Sequence, residues 1–93
     1  MTVKKEDTIK LFKAILSLEN IDQCSKFFDD ICTIKELQSM AQRLEVAELL
    51  KQKKTFAEIV SATGASTATI SRVNRCIMYG AGGYGLVLDS INE

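Results

Sequence analysis

The sequence predicts an all-α protein of five helices with a weaker sixth. Three observations carry that expectation. The 93 residues contain no proline, and the five glycines fall at Gly64 and in one patch between Gly80 and Gly85. Apolar residues recur at spacings of three and four, the period of an amphipathic helix, and no stretch supports a strand. Finally, Ser, Thr, Asp or Asn stands ahead of most of these runs, where a side-chain oxygen can take up the first free N–H groups.

Each helix has its own grounds. Residues 7–18 (DTIKLFKAILSL) place Ile9, Phe12, Ile15 and Leu16 on one stripe, with Asp7 or Thr8 as cap. Leu11 and Leu18 flank that stripe, making the apolar face wide for a helix with one neighbour. A second helix follows Asn20 or Asp22, anchored by Phe27, Phe28 and Ile31. The third and longest follows Thr33 and runs to the lysines at 51, 53 and 54, which suit its negative C-terminal end. Thr33 and Glu36 form a T-x-x-E capping box there. Ile34, Leu37, Ala41, Leu44, Ala47 and Leu50 make its inner face, widened by Met40 and Leu49.

FAEIVSAT is a short fourth helix, capped by Thr55 with Glu58 completing a second box. Gly64 suits the left-handed position after its end. Ser66 caps the fifth helix, TATISRVNRCIM, which should bury Ile70, Val73 and Ile77. GAGGYG, residues 80–85, should break it as a flexible turn, leaving LVLDSI as the weak last helix. A single domain is expected over residues 1–93. So short a chain buries only about 60–65% of its unfolded surface. Its surplus of Phe, Leu and Met therefore suggests a partner surface, most simply a second copy of itself.

An apolar content of 46% with 26% charged residues is that of a globular chain. The net charge is zero, but its distribution is uneven. Residues 1–50 carry −2, residues 51–76 carry +4 (Lys51, Lys53, Lys54, Arg72 and Arg75 against Glu58), and residues 77–93 carry −2. The basic segment coincides with the fourth and fifth helices.

Cys24, Cys32 and Cys76 lack C-x-x-C spacing and there is no histidine, which argues against a zinc site and excludes a His-based catalytic dyad. The cysteines read as buried thiols in a reducing compartment. No signal-peptide pattern opens the chain, and nothing approaches the roughly 20 apolar residues of a membrane span. The expectation is a cytoplasmic protein without metal or cofactor.

Two helices joined by a short glycine-containing turn form a helix-turn-helix. Here Phe56, Ile59 and Val60 anchor the first helix, Gly64 makes the turn, and Ile70 with Val73 dock the second. The outer edge of that second helix must enter a major groove about 12 Å wide. Small residues and hydroxyls at Ser66, Thr67, Ala68, Thr69 and Ser71 let the backbone come close. Arg72 and Arg75 can reach guanine or flanking phosphates. Lys53 and Lys54, on the approach to the motif, complete the candidate DNA-binding set.

EIVSATGASTATISRVNR resembles the helix-turn-helix of many bacterial regulators. More specifically, the run from Thr33 to Cys76 resembles the Trp repressor family. RLEVAELLKQKKTFAEIVSATGASTATISR follows that family's long helix, helix-turn-helix and A-T-I-[ST]-R segment without a gap, and the chain is similar to the YerC/YecD-type branch of Trp repressor-like proteins. The resemblance implies an intertwined, all-helical homodimer that binds palindromic double-stranded DNA through two recognition helices. The Trp repressor is itself a standard illustration of that docking geometry. On this plan residues 1–32 are dimerisation helices, 33–54 the central helix, 55–78 the helix-turn-helix, and 79–93 the glycine-rich turn with the last helix.

The resemblance also implies an effector site. Arg43 and Arg72 match two arginines that flank the family's ligand, and Thr33 matches a pocket threonine. Val73 stands where the family has a glycine against the ligand, and Cys76 replaces a serine. Valine would occupy room an indole needs, and a thiol is a weak hydrogen-bonding partner. An effector, if used, is thus expected to differ from tryptophan. Arg43 also has a plainer reading, as a solvated or salt-bridged arginine on the long helix, with Glu36, Glu45 or Glu48 nearby.

Two patterns are decoys. Gly80, Gly82 and Gly85 spell G-x-G-x-x-G, but a helix precedes them and the chain ends eight residues later, unlike a βαβ nucleotide site. Tyr84 within the patch reads as a packing residue rather than a phosphate contact. Asp29 and Asp30 are adjacent and diverge by about 100° on a helix, so they form no catalytic pair. These features argue against an enzyme. The expectation is a dimeric, sequence-specific regulator, most simply a repressor. The rival is a helical protein-interaction module without a DNA role.

Overall fold

The computed structural model describes residues 4–92. They form six α-helices: α1 (Lys5–Leu16), α2 (Ile21–Ile31), α3 (Ile34–Lys51), α4 (Phe56–Thr63), α5 (Thr67–Tyr79) and α6 (Gly83–Ile91). The chain divides into two compact units, Met1–Leu37 and Gln38–Glu93, with the division falling inside α3.

In the first unit, α1 begins two residues before the expected start. Neither Asp7 nor Thr8 caps it; Lys4 holds the extended N-cap position without a side-chain bond. Thr8 Oγ1 instead donates to the Lys4 carbonyl at 3.2 Å, the back-bond open to a threonine inside a helix. Asn20 caps α2 by accepting the Gln23 N–H at 2.9 Å, and Gln23 Oε1 accepts the Glu19 N–H at 2.9 Å. The Phe27 and Phe28 rings meet edge-on, 5.5 Å between centroids. Neither α1 nor α2 has a fully buried residue. Phe12 is 55% exposed and Leu16 83% exposed.

The head of α3 is capped as expected. Glu36 N–H donates to Thr33 Oγ1 at 3.1 Å, and Thr33 N–H donates to Glu36 Oε1 at 2.8 Å. Its end differs from the expected continuation to Lys54, because the last helical residue is Lys51. Lys53 takes the left-handed region at φ 66°, its N–H donating to the Leu50 carbonyl and the Lys54 N–H to the Leu49 carbonyl. This is a Schellman motif with lysine at the position usually given to glycine.

The core lies in the second unit. Val46 and Ala47 of α3, Ile59 of α4, Ala65 of the turn, Ile70 and Val73 of α5, and Leu88 of α6 are all buried. Leu44, Leu49, Leu50 and Tyr84 pack around them. Several expected core positions are thereby corrected. Ile34 is largely exposed, and the fully buried part of α3 is Val46–Ala47, which cluster with Ile59, Ile70, Val73 and Leu88. In α4 only Ile59 is fully buried, while Phe56 and Val60 lie on its flanks; Ile77 is likewise exposed at the far end of α5.

The glycine patch is less of a turn than expected. Gly82, at φ 84°, is the N-cap of α6, and Gly83, Tyr84 and Gly85 are already helical. Glycine is a poor helix former, so the docking of Leu88 and Tyr84 holds this turn in place. Gly80 is sterically required, since a Cβ there would lie 2.4 Å from the Cys76 carbonyl oxygen.

Candidate nucleic-acid interface

The α4–turn–α5 segment is built from local bonds. Thr55 and Glu58 form the expected reciprocal box. At the other end of α4, Gly64 sits at φ 72° and its N–H donates to the Val60 carbonyl at 2.9 Å. Thr63 Oγ1 donates to the Ile59 carbonyl at 2.8 Å and accepts the Ala65 N–H at 3.1 Å. Gln42 of α3 donates to the Thr63 carbonyl at 3.2 Å, satisfying a helix-end acceptor and tying the turn to α3. The connection comprises Gly64, Ala65 and Ser66, and Ala65 is buried at its centre.

Ser66 caps α5. Its Oγ accepts the Thr69 N–H and donates to Thr69 Oγ1, both at 3.1 Å. Two of the candidate hydroxyls are therefore held by one another, and Thr69 is half-buried. Thr67 and Ser71 are exposed and free of side-chain partners among the described residues.

Ile70 and Val73 face the core, as expected, while Ala68, Ser71, Arg72 and Arg75 are exposed. Their spacing of i, i+3, i+4 and i+7 puts these four on one outward stripe. Lys53 lines a groove of about 480 Å³ together with Asn74, Ile77 and Met78, which sets it beside the second half of α5. Lys54 is exposed next to the head of α4. The Glu58 carboxyl there is held below its ordinary value by the Thr55 backbone N–H, then the Thr55 side chain, with a smaller pull from the Lys54 charge. Lys51 is different, because it forms an ion pair with Asp89 of α6. One charge of the basic segment is thus offset by a residue 38 positions away.

The three residues matched to an effector site are placed as follows. Arg43 and Arg72 line one cleft of about 180 Å³ with Val73, Cys76 and Tyr84. A larger cleft of about 550 Å³ adjoins Arg43, Cys76, Tyr84 and Val87. Thr33 heads α3, where its hydroxyl is engaged in the capping box. Of the two plainer alternatives for Arg43, solvated or salt-bridged, the second is not formed: no salt bridge to Glu36, Glu45 or Glu48 occurs among the described residues. The Arg43 Nη1 donates instead to Ser39 Oγ at 3.1 Å, one turn earlier, and Glu36 is occupied by the Thr33 N–H. The i, i+4 spacing of Ser39 and Arg43 was the available signal for this bond. Cys24 and Cys32 are half-buried, whereas Cys76 is exposed on α5, contrary to the reading of all three as buried thiols. Among the described residues no cluster of metal-ligating side chains occurs, and no helix is long and apolar enough to cross a membrane.

A capped helix, a three-residue turn with a left-handed glycine, and a second helix with a basic, hydroxyl-bearing outer stripe define a helix-turn-helix protein. The chain belongs to the Trp repressor family, whose profile matches residues 6–92, and is of the YerC type. It is 55% identical to the uncharacterized protein YerC of Bacillus subtilis over 84 residues, 90% of this chain and 81% of that one. A candidate Trp repressor from Staphylococcus aureus, solved by crystallography, superposes with a TM-score of 0.92 at 49% identity, covering 96% of this chain and 89% of that one. A TrpR-like protein from Eubacterium eligens gives a TM-score of 0.92 at 48% identity, covering 96% and 92% respectively. Members of this family are DNA-binding regulators, not enzymes.

Proposed function

We propose that the chain is a homodimeric, sequence-specific transcriptional regulator that represses from a palindromic operator. The observation that carries this reading is the outward stripe of Ala68, Ser71, Arg72 and Arg75, set on a helix whose opposite side is locked into the core by Ile70 and Val73. Two small residues allow close approach, and two guanidiniums supply base or phosphate contacts. Thr67, Ser66 and Thr69 at the helix head, with Lys53 and Lys54 alongside, add phosphate contacts. The exposed apolar residues of α1 and α2 support a dimer, since a second copy would cover them. On this reading the protein works in the bacterial cytoplasm, at the nucleoid.

A second element of the reading is an effector other than tryptophan. It is favoured by the 550 Å³ cleft, which is the size of a small-molecule site and includes one guanidinium, Arg43, on a mainly apolar wall.

The test is a selection of fragments from sheared genomic DNA by the purified protein, with and without a metabolite extract. Enrichment of inverted repeats supports a dimeric regulator, and enrichment only with extract supports an effector. No enrichment in either arm overturns the DNA reading in favour of a protein-interaction module.

A further inference from the structure

The small cleft between the two arginines contains part of the chain itself. Tyr84 projects from the first turn of α6 and forms one wall, opposite Arg43 of α3 and Arg72, Val73 and Cys76 of α5. The same side chain lines the larger cleft beside Arg43 and the groove beside Lys53, Ile77 and Met78. It is half-buried and packs on the core that holds Ile70 and Val73. What is left between the arginines is about 180 Å³, well below the 300–1,000 Å³ of ordinary ligand pockets.

The backbone puts Tyr84 there by necessity. Gly80 accommodates the close pass over the Cys76 carbonyl, and Gly82, at φ 84°, turns the chain into α6. Gly83 and Gly85, immediately before and after Tyr84, add no side chain of their own. Of the first three residues of α6, Tyr84 is therefore the only one with a side chain to set beside α5.

We infer that Tyr84 is a positioning residue for the recognition helix. It is a built-in aromatic wedge beside Arg43 of α3 and Arg72 of α5 that holds α5 in place, so that DNA binding needs no ligand between those arginines. The inference rests on the DNA-binding reading of α5, and it confines any small-molecule effector to the larger cleft.

The test uses the full chain carrying Tyr84→Ala and Tyr84→Phe, with p-cresol as a probe for the vacated ring. The expected result is that Tyr84→Phe binds the selected operator within about threefold of wild type. Tyr84→Ala loses at least tenfold, millimolar p-cresol restores most of the loss, and wild type ignores p-cresol. Amide hydrogen exchange separates positioning from a general loss of stability. Exchange over Thr67–Arg75 should quicken in Tyr84→Ala and slow again with p-cresol, while Phe56–Thr63 stays as in wild type. Wild-type affinity in a folded Tyr84→Ala, or a loss that p-cresol does not reverse, would overturn the inference. Equal quickening in α4 and α5 would do the same. If Tyr84→Ala does not fold, Tyr84→Leu carries the affinity and exchange measurements without p-cresol, and wild-type affinity or equal quickening in α4 and α5 overturns the inference. Should wild type select no DNA, the DNA reading has failed, and the exchange pattern alone decides the role of Tyr84.

Discussion

Thr55 and Glu58 cap each other at the entry to the reading head: the Glu58 N–H donates to Thr55 Oγ1 at 3.2 Å, and the Thr55 N–H donates to Glu58 Oε1 at 3.1 Å. The same reciprocal pair, Thr33 with Glu36, opens α3. Both glutamates are held below the ordinary value of 4.5, first by the backbone N–H of their threonine. A carboxyl lowered in the folded state contributes its stability above the unfolded value and loses it as pH falls through the folded one.

Acid should therefore weaken the protein below about pH 4.5 through these two groups, and a Glu36→Gln, Glu58→Gln double variant should show a shallower acid limb. Urea melts across pH 3 to 7 check this, and parallel acid limbs would refute it. Thr55→Ala should cost about 1 kcal/mol at neutral pH by loss of the cap.

Lys53 carries two opposing roles. Its left-handed backbone at φ 66° costs a non-glycine residue about 1–2 kcal/mol, while glycine loses about 0.5–1 kcal/mol more entropy on folding. Lys53→Gly should thus be more stable than Lys53→Ala by up to about 1 kcal/mol. Both variants lose the same charge, so each should bind operator more weakly, with a salt slope lower by about one. Chemical denaturation and binding titrations over a salt series separate the two effects.

Arg72→Ala should abolish specific binding and leave the oligomeric state unchanged. The side chain is exposed on the outer stripe and supports no buried residue, so the fold should tolerate its loss. A bidentate base contact is worth about 1–3 kcal/mol, or roughly five- to more than a hundredfold in affinity. Fluorescence anisotropy with the selected operator, paired with sedimentation equilibrium, reads both quantities. Unchanged affinity would remove Arg72 from the interface.

Two glycines of the patch should respond with opposite signs. At Gly80 an added Cβ meets backbone at 2.4 Å, so Gly80→Ala must shift the end of α5 and should cost about 1–3 kcal/mol. At Gly83 nothing lies within 4 Å and the residue is helical, so Gly83→Ala should stabilise by up to about 1 kcal/mol. Thermal melts of the two variants side by side decide it.

Much of the reading head was legible in sequence because its signals span four residues or fewer. The boxes Thr33/Glu36 and Thr55/Glu58, the Ser66 cap, Gly64 in its turn, and the inward Ile70 and Val73 all follow from helix geometry and local bonding. The outer stripe follows too, because a helix that buries one side must present the other. The sequence alone also carried the family, through an ungapped run of side chains across both helices. Tertiary structure decided what depends on distant partners. It chose Val46, Ala65 and Leu88 for the core over Ile34, Phe56 and Ile77, and paired Lys51 with Asp89. It gave Arg43 to Ser39, began α6 within the glycines, and brought Tyr84 to the arginine cleft. Periodicity shows that a helix has an apolar side; which part of that side is covered depends on where the chain returns, and a three-residue turn or a glycine at positive φ sets that return.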